Sequence, residues 1–252
     1  MATLAVAAPA AAQSDGAGSV YRIHWPADLA TMAVAGAAWL TPELFLDDLV
    51  TPKCPCERVD VPAIDRVALG RSSSFSGDAS QIAILTMVSI PPLVDALDVR
   101  LHGGSWTHVG EDVLVMTEAL LVNGGLNELV KVAVQRPRPF TYDGRSLSDS
   151  DSYLSFYSAH TSNAFAVGMA YATTFSLRHP DSEYRYLVYG LVIAGGGTTG
   201  VFRVLAGKHF PSDVIVGAIA GSAVGLTVPL LHRRREVQVV VGPGAVGLVG
   251  TF

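Results

Sequence analysis

The sequence predicts an all-α protein, a bundle of about six helices followed by a short β-like tail. Half of its 252 residues are hydrophobic, only 15% are charged, and the mean hydropathy is +0.38. Soluble domains typically carry about 25% charged residues. Long apolar stretches alternate with short segments rich in Pro, Gly and charge, as helices alternate with connections. Either the core is unusually apolar or some helices lie in lipid, and the sequence leaves both open.

The chain divides into three parts by composition. Residues 1–21 are predicted to be a signal-like and disordered terminus, residues 22–235 a helical domain, and residues 236–252 a tail. Residues 1–13 combine a short apolar part with small residues suited to cleavage near Ala12, although the positive segment of a secretory signal is missing. We therefore expect export from the cytoplasm.

Six apolar segments are predicted as helices. They lie at residues 29–40, 82–97, 113–134, 158–177, 184–200 and 214–231. The first is short for a membrane span, which needs about 20 residues. The second contains Pro91-Pro92, which predicts a kink or a break. The last has 18 residues without a charge and is the best candidate span, while weak alternation after Val237 suggests a strand or hairpin.

Charge and cysteine content exclude several classes of partner. The net charge is −5 and the longest basic tract is Arg233-Arg234-Arg235, which argues against nucleic acid. Cys54 and Cys56 are the only cysteines, too few for a cysteine zinc site. A disulfide across one residue would be strained, so we interpret the pair as an incidental feature of a loop. No metal and no cofactor are expected.

Three clusters of phosphate-binding side chains lie at predicted helix boundaries. The first has Lys131 and, seven residues on, Arg138 before Pro139. Lys supplies a point charge and Arg a planar fork for two oxygens. The second places Ser158 and His160 at a helix start, where free N–H groups bind anions. Each cluster alone is also consistent with an ordinary charged or capped helix end.

The third cluster contains Arg203, His209 and Asp213. Pro211 is suited to the first turn of a helix, so Asp213 could reach back to His209, fix its tautomer and stabilise its cation. The simpler interpretation is a capped helix start with a surface ion pair. The ordered occurrence of all three clusters favours a phosphoryl-transfer site.

The three clusters resemble the signatures of the type 2 phosphatidic acid phosphatase superfamily, which includes bacterial acid phosphatases, lipid phosphatases and vanadium haloperoxidases. The first and third signatures keep the family's spacing, and the resemblance covers residues 118–231. It implies a helical bundle in which His209 attacks phosphorus, Asp213 orients it, and His160 protonates the leaving alcohol and then activates water. The phosphate oxygens would be held by Lys131, Arg138, Ser158, Arg203 and the Ala159 amide. The scheme needs no metal.

Three residues depart from the family pattern without removing a catalytic group. Tyr157 replaces Pro, Ala159 replaces Gly and Phe202 replaces Ser. If the position of Ala159 required a positive φ, its methyl group would cost about 1 kcal/mol or more. The opposite protonation states needed by the two histidines predict a mildly acidic to neutral optimum.

Three functions remain open at this point. The first is a phosphatase for phosphate monoesters or for lipid or polyprenyl (pyro)phosphates, on the periplasmic side of a bacterial envelope, either soluble or in the inner membrane. The second is a haloperoxidase with vanadate in the same cradle, although such enzymes are usually much longer. The third is a non-catalytic membrane protein on the same scaffold. Retention of both histidines, Asp213 and the phosphate ligands argues against the third.

Overall fold

The structure is a computed structural model that describes residues 19–54, 56–234, 237–242 and 245–250. Six long helices and one short helix are followed by an antiparallel hairpin of two strands. The all-α bundle with a β-like tail is confirmed. The elements are α1 (Trp25–Leu44), α2 (Leu46–Leu49), α3 (Ser74–Leu101), α4 (Trp106–Val134), α5 (Ala159–Arg178), α6 (Tyr184–Leu205), α7 (Pro211–His232), β1 (Val237–Gly242) and β2 (Ala245–Gly250).

Helix α5 is the centre of the bundle. Nearly every residue from Thr161 to Thr174 is buried, and α3, α4, α6 and α7 pack around it. Helix α7 approaches it most closely, through glycines at every fourth position. A Cβ atom at Gly221 would lie 2.1 Å from the carbonyl oxygen of Ser162. This contact holds the middle of α7, the helix that follows His209, against the first turn of α5, which carries His160.

Two helices differ from their predicted extent. Helix α3 runs without a break through Pro91 and Pro92. In apolar surroundings a backbone that left the helix would find no other hydrogen-bond partners, so proline is tolerated there. Helix α4 begins at Trp106, seven residues earlier than predicted, because Ser105 and His108 cap its first turn reciprocally.

The predicted disordered terminus, residues 1–21, is ordered at its last residue, Tyr21. Residues 1–18 of the signal-like terminus lie outside the described part of the chain. Tyr21, which the sequence placed in a disordered region, is buried in the core and its hydroxyl hydrogen-bonds to Thr174 at 2.6 Å. Its backbone pairs with Arg233 after α7. A large aromatic ring whose hydroxyl has a hydrogen-bond partner is stable in the core, and this explains why Tyr21 is ordered.

Within the described ranges, four helices are long and apolar enough to cross a membrane, namely α3, α6, α7 and a segment that contains α4. Large apolar side chains are exposed along their outer faces. The sequence of α4 contains four polar residues that would be costly on a side facing lipid. All four are buried in the bundle: Glu118, Asn123, Asn127 and Glu128. The arrangement has polar groups inside and apolar groups outside, as a membrane bundle requires.

The two cysteines correct a further expectation. Cys54 and Cys56 form a disulfide in the loop between α2 and α3. Cys54 also packs against the buried cluster of Val50, Tyr153 and Leu154. The pair therefore belongs to the packed part of this loop and is not an unpaired incidental feature.

Candidate active site

A cavity of about 600 Å³ lies where α5 begins and where α4 and α6 end. It brings together six of the eight predicted site residues. These are Lys131, Arg138, Ala159, His160, Arg203 and His209. Ser158 and Asp213 are fully buried behind this wall and do not line the cavity. Side chains from segments more than 70 residues apart in the sequence, among them Lys131 and His209, therefore line one cavity.

His209 lies in the turn between α6 and α7. Its Nδ1 is 2.8 Å from the carbonyl oxygen of Ser155, which can only accept, so Nδ1 carries the proton. The neutral ring therefore keeps its lone pair on Nε2. Burial, followed by the charges of Arg203 and Arg138, holds the pKa of His209 well below its ordinary value. The ring is neutral at physiological pH, the state that a nucleophile requires.

The turn that carries His209 depends on glycine at one position. Gly207 has a φ of 67°, in the left-handed region that favours glycine. A Cβ atom there would lie 2.1 Å from the carbonyl oxygen of Arg71. Because Gly207 allows this close approach, the chain reverses between α6 and α7 and turns His209 toward the cavity.

Asp213 does not make the hydrogen bond to His209 that the sequence predicted. Its Oδ2 is 3.7 Å from Nδ1, and the Ser155 carbonyl takes the closer position. The carboxylate instead accepts bonds from the Ser155 hydroxyl at 2.6 Å and from the Phe210 N–H at 2.8 Å. Asp213 thus fixes Ser155, whose carbonyl contacts the His209 ring, and Phe210, which follows His209 in the chain.

Arg136 is a residue of this network that sequence reasoning missed. Its guanidinium donates to Asp213 at 2.5 Å and to Asp65 at 2.7 Å, and it lies 4.2 Å from the centre of the Phe210 ring. The Ser212 hydroxyl and N–H also bind Asp65. The sequence hinted at this residue only through the run Arg136-Pro-Arg138. Arg138 of this run lines the cavity, and Arg136 donates to Asp213.

Each of the three predicted cationic side chains donates a hydrogen bond to a carboxylate or a hydroxyl group. Lys131 Nζ donates to Glu128 at 3.0 Å, and Arg203 Nη1 lies 3.4 Å from the Ser80 hydroxyl. Arg138 donates to the Asp151 carboxylate at 2.6 Å and to its backbone carbonyl at 2.9 Å. Burial opposes ionisation of Asp151, but the charge of Arg138 outweighs it and the pKa of this carboxyl is lowered.

His160 stands in the first turn of α5, on the cavity wall. Its Nε2 is 3.1 Å from the side-chain oxygen of Gln81 on α3. Burial, and then the charge of Arg203, lowers the pKa of His160 to about 3. The group is therefore neutral in the free site, and an anion between it and the cations would reverse the main electrostatic cause of the shift.

The start of α5 provides the backbone donor that was predicted, but not the hydroxyl. Ser158 is the N-cap residue, and its Oγ accepts a hydrogen bond from the Thr161 hydroxyl at 3.1 Å. Ala159 is the first helical residue, so its N–H has no partner within the helix. Among the described residues, Gln135 and Ser146 are the non-glycine residues with positive φ. Ala159 is not one of them, and its methyl group carries no such cost.

The cavity also has walls that the sequence did not predict. Lys208 adds a fourth cation, and Glu43 and Asp151 add carboxylates near the cations. The same cavity is also lined by apolar side chains from three helices, namely Trp39 of α1, Ile84, Leu85 and Val88 of α3, and Leu120 of α4. Leu85 is 57% exposed on the outer face of α3. The cavity therefore reaches the apolar surface of the bundle.

Comparison with known proteins gives three findings. The PAP2 superfamily profile matches residues 112–236. Curated lipid A 1-phosphatases from Porphyromonas gingivalis and Rhizobium etli are 30% identical over 158 residues and 27% identical over 118 residues, which is 62% and 46% of this chain. The matches cover 32% and 48% of those relatives, so the chain spans about a third to a half of their length.

A solved structure is also similar. It is the transmembrane PAP2 type phosphatidylglycerolphosphate phosphatase from Bacillus subtilis, with 24% identity and a TM-score of 0.39, over 82% of this chain and 90% of that one.

Proposed function

This chain belongs to the PAP2 superfamily, and we propose that it is a membrane phosphatase that removes a phosphate group from a lipid headgroup. One observation carries the proposal, namely that a cavity with a cationic floor has an apolar wall that continues to the outer face of α3. A small soluble phosphate ester would gain nothing from that wall, whereas an acyl or polyprenyl chain would bury apolar surface there. The names of the curated relatives support a lipid phosphate substrate.

The chemistry begins with His209. Its Nε2 lone pair attacks phosphorus, the bond from phosphorus to the lipid oxygen breaks, and a phosphohistidine forms. Lys131, Arg138 and Arg203 line the cavity and would stabilise the charge that accumulates on the equatorial oxygens. The Ala159 N–H at the start of α5 adds a donor aligned with the helix dipole. None of these groups needs to move far, because each already lines the cavity.

His160 handles the proton. In the free site it is neutral, and the entry of a phosphate dianion raises its pKa because the anion screens the cations. It therefore takes up a second proton as the substrate binds, donates that proton to the leaving lipid oxygen and afterwards removes one from the water that hydrolyses the phosphohistidine. Activity falls at alkaline pH, where the His160 ring stays neutral even beside phosphate.

The proposed location is the inner membrane, with the cavity on the periplasmic side. The four membrane-capable helices and their exposed apolar faces support insertion. The signal-like residues 1–13 favour export of the terminus that precedes α1. The cavity lies at one end of the bundle, so a lipid headgroup at the membrane surface could reach it while its chains remain in the bilayer.

A substrate panel tests the proposal. The full chain is purified in detergent and phosphate release is measured from lipid phosphates, a polyprenyl pyrophosphate and p-nitrophenyl phosphate. We expect lipid substrates to be preferred and His209→Ala to abolish release, while His102→Gln, on an exposed histidine at the other end of the bundle, changes little. Equal rates in His209→Ala would contradict the proposal, as would halide oxidation with added vanadate in the absence of phosphate release.

A further inference from the structure

Three buried side chains from three helices meet at the end of the bundle away from the cavity. They are Asp28 of α1, Glu118 of α4 and His232 of α7, with exposed fractions of 7%, 6% and 9%. Along α4, Glu118 lies 13 residues before Lys131, or roughly 20 Å from the cavity at 1.5 Å per residue. The proposed phosphatase chemistry uses none of the three.

The distances within this triad match those between the ligands of one metal ion. Nε2 of His232 is 3.3 Å from Oδ1 of Asp28 and 3.3 Å from Oε2 of Glu118, and all three atoms lie within 4.8 Å of one another. Tetrahedral Zn²⁺, with bonds of about 2.0–2.1 Å, places neighbouring ligand atoms roughly 3.3–3.4 Å apart. The two separations from Nε2 therefore fit the edges of such a tetrahedron.

The orientation of His232 leaves a lone pair directed at acceptors. Its Nδ1 is 2.9 Å from the carbonyl oxygen of Val228, so Nδ1 carries the proton of the neutral ring. A backbone carbonyl in this position is the usual second partner of a metal-binding histidine. Nε2 then faces two carboxylate oxygens, and three acceptors at this separation repel one another unless Nε2 is protonated or a metal cation lies among them.

Glu118 provides the second, independent observation. Its side chain is buried, and within the described part of the chain its Oε2 accepts no hydrogen bond. Burying an ionised oxygen without a partner costs several kcal/mol. The Oδ2 of Asp28, by contrast, accepts the His24 N–H at 2.7 Å, while its Oδ1 points to His232. Oε2 of Glu118, which accepts no hydrogen bond from the described residues, is directed at His232 Nε2 within the triad.

We propose that Asp28, Glu118 and His232 form a binding site for a divalent transition-metal ion, with Zn²⁺ as the best match. One imidazole and two carboxylates are Zn²⁺ ligands, whereas Ca²⁺ takes six to eight oxygens and Mg²⁺ keeps most of its waters. The ion would take a further ligand beyond these three. The site is separate from phosphate chemistry and does not depend on the proposed function.

The role of such a site is to fasten α1. Among the long helices, α1 packs chiefly on α4. A metal ion would tie α1 to both α4 and α7 at one end, while Trp39 and Glu43 of the same helix line the cavity near the other end. The ion would thus hold the apolar wall of the cavity in place without touching substrate.

Metal content tests the proposal directly. The full chain is purified from cells grown with added zinc, and zinc per chain is measured after dialysis for the wild type, Glu118→Gln and His232→Gln. We expect one tightly bound zinc in the wild type and more than about 100-fold weaker binding in both variants, since even loss of an outer hydrogen-bond partner costs about 10–100-fold. His179→Gln is the matched control, because it alters the partly exposed cluster of Asp98, His102 and His179 at the same end.

The wild-type protein alone provides a second measurement if a variant fails to fold. X-ray absorption of its bound zinc should show one imidazole nitrogen with oxygen ligands, and added zinc should raise its thermal midpoint more than added magnesium does. A wild-type chain without zinc, which holds the triad as an ion pair only, would overturn the proposal. So would loss of zinc in His179→Gln together with its retention in His232→Gln.

Discussion

At the scale of single residues, the proposed nucleophile, His209, is positioned by groups that take no part in the proposed reaction. The Ser155 carbonyl fixes the tautomer of His209, and the Asp213 carboxylate fixes Ser155 and the backbone of Phe210. Arg136 in turn holds Asp213. Asp213 acts on the ring through these neighbours, which explains how a carboxylate 3.7 Å from Nδ1 can still position it.

Asp213→Asn should therefore damage stability and rate together. The amide keeps the shape but loses the charge that faces Arg136, and a hydrogen bond to a charged group contributes about 1.5–3 kcal/mol. We expect a loss of that size in the free energy of unfolding and a lower kcat. Asp143→Asn is the control, because its partners Arg58 and Arg145 are exposed and such pairs contribute about 0–1 kcal/mol. Equal losses in the two variants would refute this account of Asp213.

The lowered histidine pKa values predict acid sensitivity of the free protein. His160 titrates near pH 6.5 when unfolded and at about 3 when folded, so between these values the unfolded chain binds more protons. Its contribution to stability is therefore complete above about pH 6.5 and declines as the pH falls. The thermal midpoint should drop between pH 7.5 and 5, and less steeply in His160→Gln. Parallel curves for the two proteins would contradict the shift.

At the scale of elements, the site depends on how closely α7 packs on α5. Helix α6 offers a matched contrast, since a Cβ atom at its Gly197 would meet nothing within 4 Å. We expect Gly221→Ala to lower the free energy of unfolding by about 1–3 kcal/mol through overpacking. Gly197→Ala should be neutral or stabilising by up to about 1 kcal/mol, because alanine favours the helix. Thermal unfolding in detergent measures both, and a harmless Gly221→Ala would contradict the contact.

The element boundaries show what sequence can and cannot predict. Six helices and the C-terminal hairpin follow from apolar runs and breakers, which are local properties. The continuity of α3 through Pro91-Pro92 does not, because proline breaks helices in water but is tolerated in apolar surroundings. The order of Tyr21 depends on Thr174, 153 residues away, and no local pattern contains that contact.

At the scale of the whole molecule, the described bundle buries its polar side chains together with apolar clusters and has an apolar outer surface. The four membrane-capable helices expose large aliphatic side chains, among them Leu97, Leu191 and Ile219. We expect the protein to sediment with membranes, to resist a carbonate wash and to be released by detergent. Ile219→Lys, on the outer face of α7, should reduce insertion by about 2.5–3.5 kcal/mol. Recovery of the wild type in the soluble fraction without detergent would contradict the membrane assignment.

Part of the candidate site could be predicted, because several of its residues occur at the fixed separations of the three sequence clusters. Lys131, Arg138, His160, Arg203 and His209 all line the cavity, as the three clusters indicated. The remaining groups could not be predicted, since they are defined by contacts between distant segments. Arg136 meets Asp65 across 71 residues, and His160 meets Gln81 across 79. Ser158 failed as a cavity ligand because its hydroxyl caps α5.

The central claim is that His209 becomes phosphorylated, and trapping that intermediate tests it most directly. The enzyme is mixed with a ³²P-labelled substrate that has a good leaving group, quenched within milliseconds, and assayed for acid-labile, base-stable label on the protein. We predict label on the wild type, more persistent label on His160→Ala, which lacks the base for the second step, and none on His209→Ala. Rapid phosphate release with no label on either of the first two proteins, or label that persists in His209→Ala, would contradict it.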